Sequence, residues 1–209
     1  MQAACPPAIV TPEIEVVRAA PETATDFTIP ISGLTQMAGR AGQGIEVRGL
    51  TSNRLERSIS LKFEGRSLPG DATLFCYRLV KARVEIRPLS TVYVASEYPP
   101  ESCAWRAVLE HENRHVTGFT DALWRYRAQV RDAVWTSVWK LGVIGPFRQD
   151  EFGGHAEELR ARVNDRLAEH DENLLSRDRG LQDKVDNSGE YENVARHVDE
   201  CLRKDQYGP

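Results

Sequence analysis

Two patterns of polar and apolar residues divide this chain near residue 100. From 13 to 96, apolar residues alternate with polar ones in short runs broken by Gly and Pro, the period-two signature of half-buried strands. Residues 13–18, 44–48, 57–63, 74–80, 82–87 and 91–95 are the predicted strands. The loop Gly39-Arg-Ala-Gly-Gln-Gly44 follows no predicted strand and opens no predicted helix, so it lacks the setting of a phosphate-binding turn. Beyond Pro99-Pro100 the period becomes helical. Residues 103–141 form a first predicted helix ended by Gly142, Gly145 and Pro146, and 155–185 form a second, with Leu159, Val163, Leu167 and Leu174 inward. Asp186 to Gly189 breaks that pattern, and 190–204 form a short third helix carrying Cys201. The expected fold is α+β: an N-terminal, mostly antiparallel β part over 1–98, then a helical part over 99–209 that packs with the preceding strands.

The first helix carries the chemistry. Val108, His115, Phe119, Tyr126 and Val130 step along one face, while Arg106, Glu110, Arg114 and Asp121 mark the opposite one. His111-Glu112-Asn113-Arg114-His115 is an H-E-x-x-H sequence, and both histidines fall on the apolar side. A single histidine there is ordinarily a satisfied core residue. Two of them four residues apart stand one turn apart on one face, and burying both without partners is costly. Two imidazoles at this spacing can share a zinc ion, with Glu112 beside them as the general base for a zinc-activated water.

Zinc needs a third protein ligand. If the two long helices form an antiparallel hairpin, a rise of about 1.5 Å per residue brings the level of His111 and His115 opposite residues near 177–185. His155, Glu157 and His170 are then displaced from the site. The segment just beyond supplies Asp186 and Glu190 as alternative third ligands, and Tyr191 as a hydrogen-bond donor to a developing oxyanion. Simpler roles exist for each: Asp186 or Ser188 as a helix cap, Glu190 and Glu192 as first-turn acids, and Tyr191 as packing.

Composition narrows the setting. A chain of 209 residues with 41% hydrophobic content can bury a sizeable core, and its net charge of -4 provides no basic footprint for nucleic acid. No run of eighteen apolar residues is present, so no spanning helix is expected. Four separated cysteines without a C-x-x-C pair read as two disulfides; three connectivities are possible, and Cys103 to Cys201 with Cys5 to Cys76 is preferred because the first bond ties the start of the motif helix to the C-terminal segment. The start Met1-Gln-Ala-Ala-Cys-Pro-Pro reads as a mature chain after signal-peptide removal. These features together point outward from the cytosol, to a periplasmic or secreted setting.

The run from Cys103 to Val116, preceded by strands ending at 91–95, resembles a bacterial family of predicted secreted zinc-dependent proteases, most of whose members are labelled only as a domain of unknown function. The resemblance spans roughly residues 74–201. It implies a zincin-like fold, zinc on His111 and His115, and Glu112 as general base. Members often carry an aspartate followed by a threonine and a histidine-glycine pair, where this chain has Asp186-Asn-Ser-Gly-Glu-Tyr191. The third ligand therefore stays open between Asp186 and Glu190. The expected activity is hydrolysis of a peptide or protein substrate, with residues 91–96 as a strand that pairs with it. The alternative is a noncatalytic cell-envelope binding or assembly protein whose zinc is structural or lost.

Overall fold

The computed structural model describes residues 4–6, 11–139, 141–186 and 188–207. In chain order the elements are β1 (Glu13–Arg18), β2 (Glu22–Asp26), α1 (Ile31–Met37), β3 (Gly49–Leu68), β4 (Asp71–Val94), α2 (Cys103–Val138), β5 (Val143–Arg148), α3 (Phe152–Val185) and α4 (Ser188–Tyr207). The class is α+β, and β4 pairs with each of the other four strands.

The strand list differs from expectation in an instructive way. The predicted strand at 57–63 is the middle of a 20-residue β3, and 74–80, 82–87 and 91–95 fall within or against a single 24-residue β4. Residues 45–48, predicted as strand, have no regular structure, while α1, β2 and β5 were not foreseen. Along β3 the alternation is strict: Thr51, Asn53, Leu55, Arg57, Ile59 and Leu61 are half-buried, and the intervening residues are exposed. Polar residues at inward positions concealed the length of the strand.

The chain resolves into two compact units. One comprises the segment ending at Ala19, Glu56–Arg87 and Trp124–Leu174; the other comprises Ala20–Leu55, Pro88–Leu123 and the chain from Leu175 on. β3, β4, α2 and α3 each contribute residues to both.

In the first unit β1 runs parallel to β4, from Glu13 opposite Lys81 to Arg18 opposite Ile86. β5 lies antiparallel to the start of β4, with Leu74 opposite Arg148. Val84 and Ile86 from the sheet, Tyr126, Val130 and Val134 from α2, and Leu159, Val163 and Leu167 from α3 are almost wholly buried. Each large apolar side chain so buried contributes about 1.5–3 kcal/mol. Tyr77 stacks on Phe152 at 3.7 Å, and Cys5 is bonded to Cys76. α2 ends at Val138, three residues short of the expected 141, and Gly142, with φ 56°, adopts the left-handed conformation just before β5.

In the second unit β2 lies parallel to β4, Glu22 opposite Leu89 through Asp26 opposite Tyr93. A core of Leu34, Val92, Val94, Tyr98, Val108 and Val198 ties α1, β4, α2 and α4 together. Cys103 at the start of α2 is bonded to Cys201 on α4, completing the expected disulfide pairing. Ser102 caps α2 by accepting the Trp105 amide at 3.1 Å. Residues 91–96 do not offer the free edge expected of a substrate-pairing strand. β2 occupies β4 there, and the amides of Ala95 and Ser96 bond to the carbonyls of Arg48 and Ile29.

Candidate metal centre

In the second unit α2 presents Ala104, Val108, His111, Glu112, His115 and Phe119 to the interior. The three residues of the motif are each 4–5% exposed, so one histidine pair and one carboxylate are enclosed with the apolar core. A carboxylate there is expensive unless something accommodates it.

The accommodation comes from the first residues of β3. The Thr51 hydroxyl donates to Glu112 Oε2 at 2.8 Å and lies 3.1 Å from the Glu112 carbonyl oxygen. Two residues earlier, Gly49 leaves the space in which the glutamate sits. A Cβ at that position would meet Val108 Cγ1 at 2.5 Å and Glu112 Oε1 at 2.6 Å. Burial pushes the Glu112 pKa up, and the Thr51 hydrogen bond and nearby histidines offset part of that rise. The result is a carboxylate more basic than usual, as a proton acceptor should be.

The histidine rings meet a third group from the end of α3. His111 Nε2 and His115 Nε2 are 3.3 Å apart, and Asp186 Oδ1 lies 3.1 Å from the first and 3.0 Å from the second. Both Nδ1 atoms are buried without a hydrogen-bond partner among the described residues, so the polar contacts of the rings converge on the Nε2 side. Donors at about 2.0–2.1 Å from a tetrahedral ion lie about 3.3–3.4 Å from one another. The observed triangle, 3.0–3.3 Å on a side, is within a few tenths of an ångström of that size. One imidazole pair and one carboxylate are also a donor set zinc accepts, and the Asp186 side chain is 47% exposed while the histidines are buried.

Electrostatics reinforce the triangle. Burial raises the Asp186 pKa, but hydrogen bonds from both histidines and their charge outweigh it and hold the carboxyl well below its ordinary range. Burial opposes charge on His115, yet Asp186 and Glu112 together raise its pKa. With an ion bound, the same attraction would act on the cation.

The remaining expected residues are placed elsewhere. Glu190 accepts from Arg114 Nη1 at 2.7 Å, and Tyr191 donates its hydroxyl to the Glu46 carbonyl at 2.8 Å. The structure brings Asp186, rather than Glu190, to the histidines, and commits the Tyr191 hydroxyl to main chain. His155 stacks on Phe147 at 3.8 Å. Cys103, His197 and Cys201 also cluster, but their sulfurs are consumed by the disulfide.

Sequence reasoning missed Gly49 and Thr51. It also missed a buried polar chain in which Ser90 donates to Asn53 at 2.8 Å, Asn53 to Asp178 at 3.3 Å, and Gln182 to Asp178 at 2.9 Å. Asp178, Gln182 and Asp186 are four residues apart in turn, so this chain fixes the face of α3 that carries Asp186. The available signal was the run Thr51, Asn53, Leu55 at alternate positions. Comparison of the chain with family models, curated proteins and solved structures finds no match.

Proposed function

We propose that this chain is a zinc-dependent metallopeptidase on a zincin-like fold, with zinc held by His111, His115 and Asp186. The observation that carries the reading is the triangle of donors 3.0–3.3 Å apart with a buried, separately anchored glutamate on the same helix. Zinc bound there supplies Lewis acidity toward water and a carbonyl oxygen.

Each protein group has its own part. Glu112 takes the proton from the attacking water on its raised-pKa carboxylate and returns it to the departing amine. Thr51 holds one carboxylate oxygen, Oε2, and so fixes the orientation of the base. Enclosure by the core excludes bulk water around the histidines, which strengthens every interaction within. Asp186 sets the third corner and is its exposed member. A structural ion would be closed by a fourth protein ligand; three donors and an accessible side favour catalysis.

Two disulfides and the absence, among the described residues, of any helix long and apolar enough to cross a membrane fit a periplasmic or secreted setting. The test is hydrolysis of an unfolded protein such as reduced casein by zinc-loaded chain. Wild type should cleave it and Glu112→Gln should fall by about 100-fold or more; equal rates would remove Glu112 from the mechanism.

A further inference from the structure

The first unit contains a cleft of about 1040 Å³ in which residues 11–16 form one wall and Trp124, Arg127, Arg131 and Trp135 form the other. Three features of it point to one kind of occupant.

The first is a strand edge. β1 is paired with β4 on one side, and among the described residues no main-chain group bonds its other side. Amide and carbonyl groups along such an edge are matched by another extended main chain.

The second is the helix face opposite. Trp124, Arg131 and Trp135 recur at helical spacing on one stripe of α2, and Trp139 continues it. Trp124 is 57% exposed and Trp135 40%, in a unit whose other large apolar groups are mostly covered. Tryptophan and arginine in solvent at one site are the composition of a binding surface.

The third is charge. Glu13 and Glu15 turn back onto β4, where Lys81 lies 3.1 Å from Glu13 and 2.7 Å from Glu15, and Arg83 lies 2.7 Å from Glu15. They neither shield the edge nor carry unbalanced charge. Arg18 sits 4.4 Å over the Trp124 ring. Arg127 and Arg131 have no acidic partner among the described residues; of the three acidic residues that line the cleft, Glu13 and Glu15 are engaged by Lys81 and Arg83, which leaves Asp132. The unbalanced charge is positive.

We infer that this cleft binds an extended acidic polypeptide segment, added as a strand to the outer edge of β1 and packed against Trp124 and Trp135. The α2 stripe from 124 to 135 rises about 16 Å, which matches about five residues of strand. This surface stands independently of the metal centre, and its test requires no zinc.

The test is a fluorescence titration of the full chain, read through the exposed tryptophans, with an acetylated octapeptide of alternating Glu and Val. Saturable binding with Kd about 10–100 µM is expected, an affinity suited to so short a strand. A Lys-Val octapeptide, and a Glu-Val octapeptide N-methylated at alternate residues, should each bind at least tenfold more weakly. The exposed double variant Arg127→Ala/Arg131→Ala should lose about tenfold for the acidic peptide, with its unfolding temperature unchanged. Absence of binding, equal binding of the two charge types, or indifference to N-methylation would overturn the proposal. So would binding confined to phosphatidylglycerol vesicles, or concentration-dependent dimerisation abolished by Trp135→Ala.

Discussion

The Thr51 hydroxyl donates to Glu112 Oε2 at 2.8 Å, so the buried glutamate of the motif is fixed from a strand and not only by its own helix. Removing this donor leaves a buried carboxylate oxygen without its partner, which costs about 1–3 kcal/mol. Thr51→Val should therefore lower kcat about tenfold with zinc content unchanged, and Thr51→Ser should restore most of the rate. A drop in zinc content equal to the drop in rate would show that Thr51 supports the helix in general.

Gly49 is required for space, since its backbone φ is not in the left-handed region and a Cβ would lie 2.6 Å from Glu112 Oε1. Overpacking of this kind typically costs about 1–3 kcal/mol. Gly49→Ala should lower the unfolding temperature and abolish most hydrolysis, because the group displaced is the base itself. Thermal melts and casein hydrolysis on one preparation check both; an unperturbed melt with full activity would mean the strand and helix separate freely.

Zinc stabilisation should rise with pH. His115 has its folded-state pKa raised above 6.5, so in the metal-free chain its attraction to Asp186 is fully present below 6.5 and is lost as pH rises through the raised value. Asp186 has its pKa depressed below 3.8, so its contribution is present above 3.8 and lost only as pH falls through the lower value. Zinc competes with the histidine protons, and that competition disappears on the alkaline side. The increase in unfolding temperature at a fixed free zinc concentration should be larger at pH 8 than at pH 5.5; a larger increase at pH 5.5 would contradict nitrogen ligation.

Cys103 and Cys201 are 98 residues apart in sequence and join α2 to α4. By loop-closure entropy a crosslink over about 100 residues contributes about 4.7 kcal/mol. Replacing both with Ser should shift the urea midpoint strongly downward, and the refolded variant should still carry the donor triangle. Unchanged stability would mean the denatured chain is compact without the bond.

Some of this was legible in the sequence for definite reasons. The i, i+4 spacing of His111 and His115 on an apolar stripe is a local signal, and α2 follows from it, although the helix ends at Val138 rather than at the glycines beyond 141. Of three possible cysteine pairings, the sequence only favoured the one the structure shows, through Cys103 at the start of one helix and Cys201 on another. Asp186 and Glu190 could not be separated, since both flank the break between α3 and α4; in the structure Glu190 accepts from Arg114 while Asp186 meets the histidines. β3 was hidden because Thr51, Asn53 and Arg57 occupy inward positions that a hydrophobic pattern leaves blank. β2, Glu-Thr-Ala-Thr-Asp, is exposed along most of its length and carries no alternation.

The most direct test of the account is the zinc content of purified chain, measured by elemental analysis after exhaustive dialysis, in wild type and single variants. The triangle predicts one zinc per wild-type chain, near-complete loss in His111→Ala, His115→Ala and Asp186→Ala, and full retention in Glu190→Ala and Glu112→Gln. Full occupancy in Asp186→Ala together with loss in Glu190→Ala would contradict it, as would zinc that survives removal of either histidine.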